Sequence, residues 1–191
     1  MVNTDRLSFA FNQAHTDTAT KAIVLDISSP GGQVNGSHEF ASQVRAARDA
    51  GRIIYGFVDS VAASAAQNLA AQCTEVYLTS TARMGSIGTI MGFLDRSEEM
   101  AKIGIKAEIF AAGKHKAAGS LGKPLSDADR KYLQESVEAS NRELVASIKA
   151  GRPGVSKEAL TDAKVYTGAE AVRQGLADGL VSGWEEFIEL I

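Results

Sequence analysis

Short apolar runs alternate with amphipathic segments along almost the whole chain. The apolar runs near residues 22–27, 53–58 and 75–79 are rich in β-branched and aromatic side chains, as buried strands of a parallel sheet are. The segments between them place apolar residues three and four positions apart, which is the spacing of a helix packed on a sheet. This order of elements predicts an α/β fold.

The same patterns predict the remaining elements. We expect helices at residues 4–15, 35–50, 61–72, 94–103 and 126–150, and further strands at 86–91 and 106–110. Thr167 and Glu170 have the spacing of a capping box and predict a late helix, which a last strand follows. Because no repeat, low-complexity tract or linker interrupts the chain, we expect one domain over residues 1–191. The first predicted element is a helix, so we expect the first strand of the fold to be missing from this sequence.

The composition excludes several classes of protein. The 191 residues carry 20 basic and 23 acidic side chains, and no basic cluster is interleaved with aromatic residues, so nucleic acid is a poor partner. The single Cys73 excludes an internal disulfide, and because no Cys/His pairs have ligand spacing we expect no metal site. No apolar run approaches the roughly 18 residues of a membrane span. We therefore expect a soluble, cytoplasmic protein.

Ser64 is a candidate nucleophile. It follows the predicted strand 53–58 after a short turn and lies among alanines in Val61-Ala-Ala-Ser-Ala-Ala-Gln-Asn-Leu69. Small neighbours let a substrate backbone approach, and the N-terminus of a helix favours negative charge that develops on an oxyanion. Taken alone, however, such a serine is more often a helix cap packed among alanines.

Two glycines follow the first predicted strand, in Ser28-Ser-Pro-Gly-Gly32. They stand at the carboxyl end of that strand, where open α/β sheets place their ligands. Gly31 and Gly32 can turn backbone N–H groups toward a carbonyl oxygen, as an oxyanion hole requires. The same residues are also compatible with a plain turn between strand and helix.

Lys116 is a candidate base in Gly113-Lys-His-Lys-Ala-Ala118. Its amine must be largely uncharged for this role, which burial favours, and its small neighbours are compatible with burial. The ordinary alternative is a solvated surface lysine, and His115 is a competing base. Ser86, in Gly85-Ser-Ile-Gly88, can hold a lysine amine by a hydrogen bond, although its segment also resembles a glycine-rich strand.

Taken together and in this order, these segments resemble the signal peptide peptidase A family of serine proteases, which is related in fold to the proteolytic subunit of Clp protease. The resemblance extends from about Asp17 to Gly183. It is strongest to the bacteriophage and prophage branch, the head-maturation or capsid-assembly proteases. The segments that carry it are 23–32, 62–64, 85–88, 112–116, 124–127 and 175–179.

The resemblance implies a Clp protease/crotonase-like spiral of strands and helices that lacks its first strand. It implies Ser64 as the nucleophile and Lys116 as the general base. Gly31, Gly32 and the N–H group of Ala65 match the oxyanion-hole positions of the family, and Ser86 matches a serine that contacts the lysine.

Two differences from related proteins bear on these assignments. No histidine lies between Ser64 and His115, so we do not expect the Ser-His arrangement of the Clp subunit. Gln67 and Asn68 stand where the family usually carries an aromatic residue, and this difference bears on the specificity pocket.

The sequence therefore leads us to expect a serine endopeptidase that needs no cofactor and cleaves extended or unfolded polypeptides. The phage resemblance implies scaffold and capsid precursors as substrates, and a location in the host cytoplasm or the procapsid. Self-association is expected from the family and from the apolar residues Trp184, Phe187 and Leu190. Two other classes stay open: a crotonase-type acyl-CoA enzyme, which would need an acidic base, and an inert assembly protein of the same fold.

Overall fold

Strands and helices are interspersed along the chain in the computed structural model, which describes residues 4–191. The strands are β1 (Ala22–Asp26), β2 (Ile53–Val58), β3 (Val61–Ala63), β4 (Glu75–Leu78), β5 (Arg83–Gly85), β6 (Val165–Thr167) and β7 (Gly179–Leu180). The helices are α1 (Thr4–Thr16), α2 (Ser37–Asp49), α3 (Ala65–Ala70), α4 (Ser97–Lys102), α5 (Asp127–Gly151), α6 (Lys157–Thr161), α7 (Gly168–Arg173) and α8 (Trp184–Leu190). The predicted α/β class is confirmed.

The described residues fall into two compact units. The first unit contains the chain up to Gly88 together with Arg142–Ile191, and the second unit contains Thr89–Asn141. Ser64 and the two glycines of the candidate site belong to the first unit, whereas Lys116 belongs to the second. The expectation of a single peptidase domain over residues 1–191 stays a prediction.

A parallel four-stranded sheet forms the centre of the first unit, with strand order β1-β2-β4-β7. Many of its apolar side chains are buried, and Ile54, Val76 and Leu78 are completely inaccessible to solvent. Helix α2 buries Phe40 and Val44, which lie four positions apart on one face. The central strands thus follow directly from the apolar runs.

A second, three-stranded sheet has the order β3-β5-β6. Strand β3 pairs with β5 in parallel, and β5 pairs with β6 in the antiparallel direction. An isolated bridge between Ser29 and Ala62 connects the loop after β1 to this sheet. The small sheet therefore brings the loop after β1 to the turn that contains Ser64.

Three local predictions are wrong. Residues 61–72 are not one helix, because Val61–Ala63 pairs with β5 and the helix begins only at Ala65. Residues 86–91 and 106–110 contain no strand. The strand nearest to residues 86–91 is β5. It ends before Ser86, which adopts the left-handed conformation with φ 49°. Strand formation depends on a paired neighbour, and neither segment has one among the described residues.

The sequence led us to expect an exposed apolar surface near the C-terminus. The structure does not show one continuous surface there. Phe187 is completely buried, and its ring lies 5.0 Å from that of Phe57 and 6.1 Å from that of Tyr77. Trp184 and Leu190 remain partly exposed. Helix α8 thus packs its apolar face on the parallel sheet, which leaves less of this face for a partner.

Helix α7 begins after Thr167, as predicted, but the Thr167 side chain makes no capping hydrogen bond.

Across residues 4–191, none of the helices combines the length and the apolar character that crossing a bilayer requires.

Candidate active site

Ser64 occupies a strained turn between β3 and α3. Its φ of 54° and ψ of −117° lie in a region that residues with a side chain rarely adopt. Its N–H group donates to the Gly85 carbonyl at 2.9 Å, and its own carbonyl accepts from Asn68 N–H at 3.0 Å. Such strain persists only where surrounding contacts impose it, and it is concentrated at functional sites.

The Ser64 hydroxyl is only weakly engaged. The side chain is half-buried, and its Oγ lies 3.5 Å from the Gly88 carbonyl oxygen, at the outer limit of a hydrogen bond. The backbone of Ser64 is therefore fixed by its hydrogen bonds with Gly85 and Asn68, whereas its hydroxyl can exchange the Gly88 carbonyl for a substrate.

Gly31 packs directly against Ser64. Its φ is 104°, and a Cβ atom at this position would lie 2.9 Å from the Ala63 carbonyl oxygen and 2.9 Å from Ser64 Cβ. It would also lie 3.2 Å from Ala65 N. Both the backbone conformation and the space therefore require glycine at position 31.

The N–H groups around this turn differ in their partners. Gly31 N–H donates to Ser29 Oγ at 3.2 Å. Gly32 N–H and Ala65 N–H make no hydrogen bond to any residue between 4 and 191. For Ala65 the reason is its place at the start of α3, where the first N–H groups have no acceptor within the helix. Of the three predicted oxyanion-hole positions, Gly32 and Ala65 thus have N–H groups that can still donate.

Ser86 directly follows β5, whose last residue, Gly85, accepts the hydrogen bond from Ser64 N–H. Its N–H group donates to the Lys164 carbonyl at 2.7 Å, and its side chain is half-buried. The Ser86 hydroxyl forms no hydrogen bond with the part of the chain that the structure describes. It can therefore still take a partner, as the predicted contact with a lysine amine requires.

Lys116 lies in the second unit, on a segment of turns without regular secondary structure. Its side chain is exposed, so the burial that its small neighbours suggested is not seen. The reason is that Ala117, rather than Lys116, turns inward and is 8% exposed. The role of Lys116 as a base stays a prediction.

His115 has a carboxylate partner that the sequence reasoning missed. Its Nδ1 lies 2.8 Å from Asp129 Oδ1, and Asp129 is 3% exposed. The hydrogen bond from His115, with a second one from the Ser126 hydroxyl, lowers the pKa of Asp129 to about 2. The signal that identifies Asp129 is the spacing Ser126-x-x-Asp129, which is typical of a capping box at the start of a helix.

The polar residues after Ser64 belong to the core. Gln67 and Asn68 are 0% and 1% exposed. The buried amide of Gln72 donates to Asn68 Oδ1 at 3.1 Å and to the Ser147 carbonyl at 3.2 Å. Helix α3 is thereby fixed to the C-terminal half of α5. Asn68 thus belongs to a buried hydrogen-bond network, whereas the buried side-chain amide of Gln67 has no hydrogen-bond partner among residues 4–191.

Cys73 is not a competing nucleophile. It is buried, and burial raises the pKa of its thiol to about 12, so the thiol stays protonated near neutral pH. Within residues 4–191 no group of three or more His, Cys, Asp or Glu side chains is arranged to hold a metal ion.

The contrast between the two neighbouring glycines is testable. Gly31→Ala should lower the free energy of unfolding by about 2 kcal/mol, because the added methyl group overlaps Ser64 at a positive φ. Gly32→Ala is the matched control, because nothing lies within 4 Å of an added Cβ there, and its effect should stay within about 0.5 kcal/mol. Urea denaturation measures both. Equal stability of the two variants would contradict the close approach of Gly31 to Ser64.

The sequence matches known proteases. Residues 46–189 match Peptidase family S49. The chain is 33% identical over 172 residues to the capsid assembly protease C of Escherichia phage lambda. The aligned region covers 89% of this chain and 39% of that protein. It is 30% identical over 184 residues to the head-tail preconnector protein GP5 of Enterobacteria phage P21, which covers 95% of this chain and 36% of that protein. The chain thus spans less than half the length of these two relatives.

Solved structures share the fold at lower identity. A membrane-bound stomatin-specific protease superposes with a TM-score of 0.60 at 15% identity, over 97% of this chain and 74% of that one. An enoyl-CoA hydratase/isomerase family protein from Silicibacter pomeroyi superposes with a TM-score of 0.59 at 11% identity, over 98% and 67%. The predicted Clp protease/crotonase-like fold is confirmed, although this fold supports more than one chemistry. The sequence match over residues 46–189 decides the family, and this chain belongs to peptidase family S49.

Proposed function

We propose that this chain is the peptidase part of a serine endopeptidase, with Ser64 as the nucleophile and Lys116 as the general base. It hydrolyses peptide bonds in extended or unfolded polypeptides. The observation that carries the proposal is the strained turn of Ser64, against which Gly31 packs, in a chain that belongs to peptidase family S49. Strained backbone of this kind is concentrated at active sites.

In the proposed mechanism, the amine of Lys116 takes the proton of Ser64 as Oγ attacks the carbonyl carbon of the scissile bond. The N–H groups of Gly32 and Ala65 donate to the oxyanion that forms. Lys116 then gives its proton to the leaving amine, and the acyl group stays on Ser64. A water molecule, again with Lys116 as base, releases the acyl group. Ser86 orients the lysine amine by a hydrogen bond.

Two other functions use the same fold. An acyl-CoA enzyme would use N–H groups to hold a thioester oxygen, with an acidic base in place of Lys116. An inert assembly protein would need no reactive serine. Neither alternative requires the strained conformation of Ser64, which is why we favour the peptidase.

The names of the two phage relatives support a more specific substrate. One is a capsid assembly protease and the other a head-tail preconnector protein. We propose that the substrates are scaffold and capsid precursors, which this protein cleaves in the host cytoplasm or in the procapsid.

We also propose that the chain forms a homo-oligomer through its second unit. This unit exposes several large apolar side chains, and Ile90 and Phe110 are 96% and 92% exposed. Exposed apolar surface of this kind is typical of protein–protein interfaces. A closed assembly would restrict cleavage to unfolded chains that can enter it.

Ser64→Ala should abolish peptide cleavage and keep the fold. The rate with a fluorescently labelled unfolded polypeptide should fall by a factor on the order of 10⁴ or more, because the only nucleophile is lost. Circular dichroism should be unchanged, because one hydroxyl of a half-buried side chain is removed. A fluorophosphonate should add its mass to Ser64 in the unchanged protein and to no residue in the variant. Cleavage by the pure variant at more than a few per cent of the original rate would rule out Ser64.

Lys116→Arg tests the base. Arginine keeps the positive charge and nearly the length of lysine, but it does not release its proton, so we expect activity to fall on the order of 10³-fold. Lys114→Arg is the matched control, because Lys114 is also exposed and lies two residues away. This control should retain activity within about twofold, as surface substitutions generally do. Full activity of Lys116→Arg would assign the base to another residue.

Self-association can be measured by light scattering. The unchanged protein should give a mass that is a multiple of 20.1 kDa, and the double variant Ile90→Ser with Phe110→Ser should shift it toward the monomer. Trp184→Ser, in the first unit, is the control and should leave the assembly unchanged. A monomer at high concentration for the unchanged protein would contradict the proposal.

A further inference from the structure

The segment that carries Lys116 has little regular structure of its own. Its backbone forms only short turns, in which Lys116 N–H donates to the Gly113 carbonyl at 3.2 Å and Ala118 N–H donates to the His115 carbonyl at 3.0 Å. Isolated turns of this kind are weak and open easily in water. A lysine that must keep one place therefore needs further contacts to hold this segment.

The first such contact is the hydrogen bond between His115 and Asp129. The carboxylate of Asp129 is an acceptor, so Nδ1 of His115 must carry the hydrogen in this 2.8 Å bond. Asp129 is itself fixed, since its Oδ2 accepts from the Ser126 hydroxyl at 2.7 Å and its N–H donates to Ser126 Oγ at 3.1 Å. A buried, charge-assisted hydrogen bond is about twice as strong as a neutral one. The start of α5 thus holds the edge of the His115 ring.

The second contact holds the face of the same ring. His115 stacks on Tyr132, with ring centroids 4.6 Å apart and an angle of 11° between the planes. Tyr132 lies three residues after Asp129 on α5, so both side chains project from the same side of this helix. Together they fix the position and the orientation of the imidazole.

The residues around Lys116 alternate between packed and exposed. His115 has a side chain that is 23% exposed, Ala117 is buried, and a Cβ atom at Gly119 would overlap the ring of Phe93. Lys114 and Lys116 are exposed. The packed positions therefore hold the segment on both sides of Lys116 and direct the lysine outward.

We propose that His115 is a positioning residue, which holds the segment 113–119 on helix α5 through Asp129 and Tyr132 and so fixes the place of Lys116. This inference rests on the proposed function, in which Lys116 is the base. His115 itself transfers no proton to or from the substrate. A positioned base loses rate steeply with small displacements, so the effect of His115 appears in kcat.

Two substitutions of His115 separate positioning from proton transfer. His115→Ala removes the hydrogen bond and the ring stack, whereas the amide of His115→Asn can still donate to Asp129 but cannot act as a base. We expect His115→Ala to lower kcat about tenfold with KM within about twofold, and His115→Asn to recover kcat to within about threefold. The assay is cleavage of an unfolded polypeptide that depends on Ser64. If His115→Asn is as inactive as Ser64→Ala, His115 carries a proton and the proposal is wrong.

A second measurement does not depend on activity. Trypsin cleaves after lysine. It can cut after the exposed Lys114 and Lys116 only when the segment 113–119 detaches from α5. In His115→Ala, cleavage at these two residues should be about tenfold faster than in the unchanged protein, and in His115→Asn it should stay close to the original rate. Gln134→Ala, which removes a side-chain hydrogen bond to Glu138 elsewhere on α5, is the control and should leave this cleavage unchanged. Unchanged cleavage in His115→Ala would overturn the proposal.

The two measurements also separate this inference from the proposed function. If trypsin cleaves His115→Ala faster but no cleavage of a polypeptide depends on Ser64, the segment is held as inferred and the peptidase proposal fails. If His115→Ala does not fold, Tyr132→Leu removes the ring stack, keeps the hydrogen bond and carries the same expectations at reduced size. An unchanged kcat and unchanged trypsin cleavage in Tyr132→Leu would then overturn the positioning role.

Discussion

The approach of Gly31 to Ser64 is the contact on which the site depends. Ser64 keeps a left-handed φ because its N–H group is bonded to the Gly85 carbonyl and because the Gly31 backbone fills the space beside it. A side chain at Gly31 would overlap Ser64, and one at Gly85 would overlap the Lys164 carbonyl. The cost of the strain, about 1–3 kcal/mol for such a residue, is offset by the pairing of β3 with β5 and by the bridge between Ala62 and Ser29. The position of the hydroxyl is therefore a property of the backbone and depends little on side-chain packing.

In the second unit, the segment around Lys116 is also held in place, but by side-chain contacts. The segment around Lys116 has no strand to fix it, and its order depends on side chains instead. His115 provides a ring whose edge is bonded to Asp129 and whose face lies on Tyr132. Asp129 at once caps α5 and accepts from the imidazole, which is why a nearly buried carboxylate can remain ionised. A helix end thus serves as the support for a loop.

Particular residues show what could be predicted and what could not. Strands β1, β2 and β4 were recognisable because each is a compact apolar run, and α5 because its apolar stripe persists over many turns. The segment 61–72 looked helical throughout, because alanine favours helices and the pairing of Val61–Ala63 with β5 is a tertiary contact. Phe187 appeared available to a partner because its sequence position does not reveal the rings of Tyr55, Phe57 and Tyr77 that cover it.

The sequence by itself determined the α/β class and the order of the motifs, since both depend on residue type and spacing, and the family resemblance that these motifs carry made Ser64 and Lys116 the candidate residues. The tertiary structure alone decided that Gly31 lies against Ser64, that the Gly31 N–H group is already bonded while those of Gly32 and Ala65 are not, and that Asp129 binds His115. The physical reason is that these contacts join segments far apart in the chain or depend on backbone torsions. Local propensity and periodicity carry no information about either.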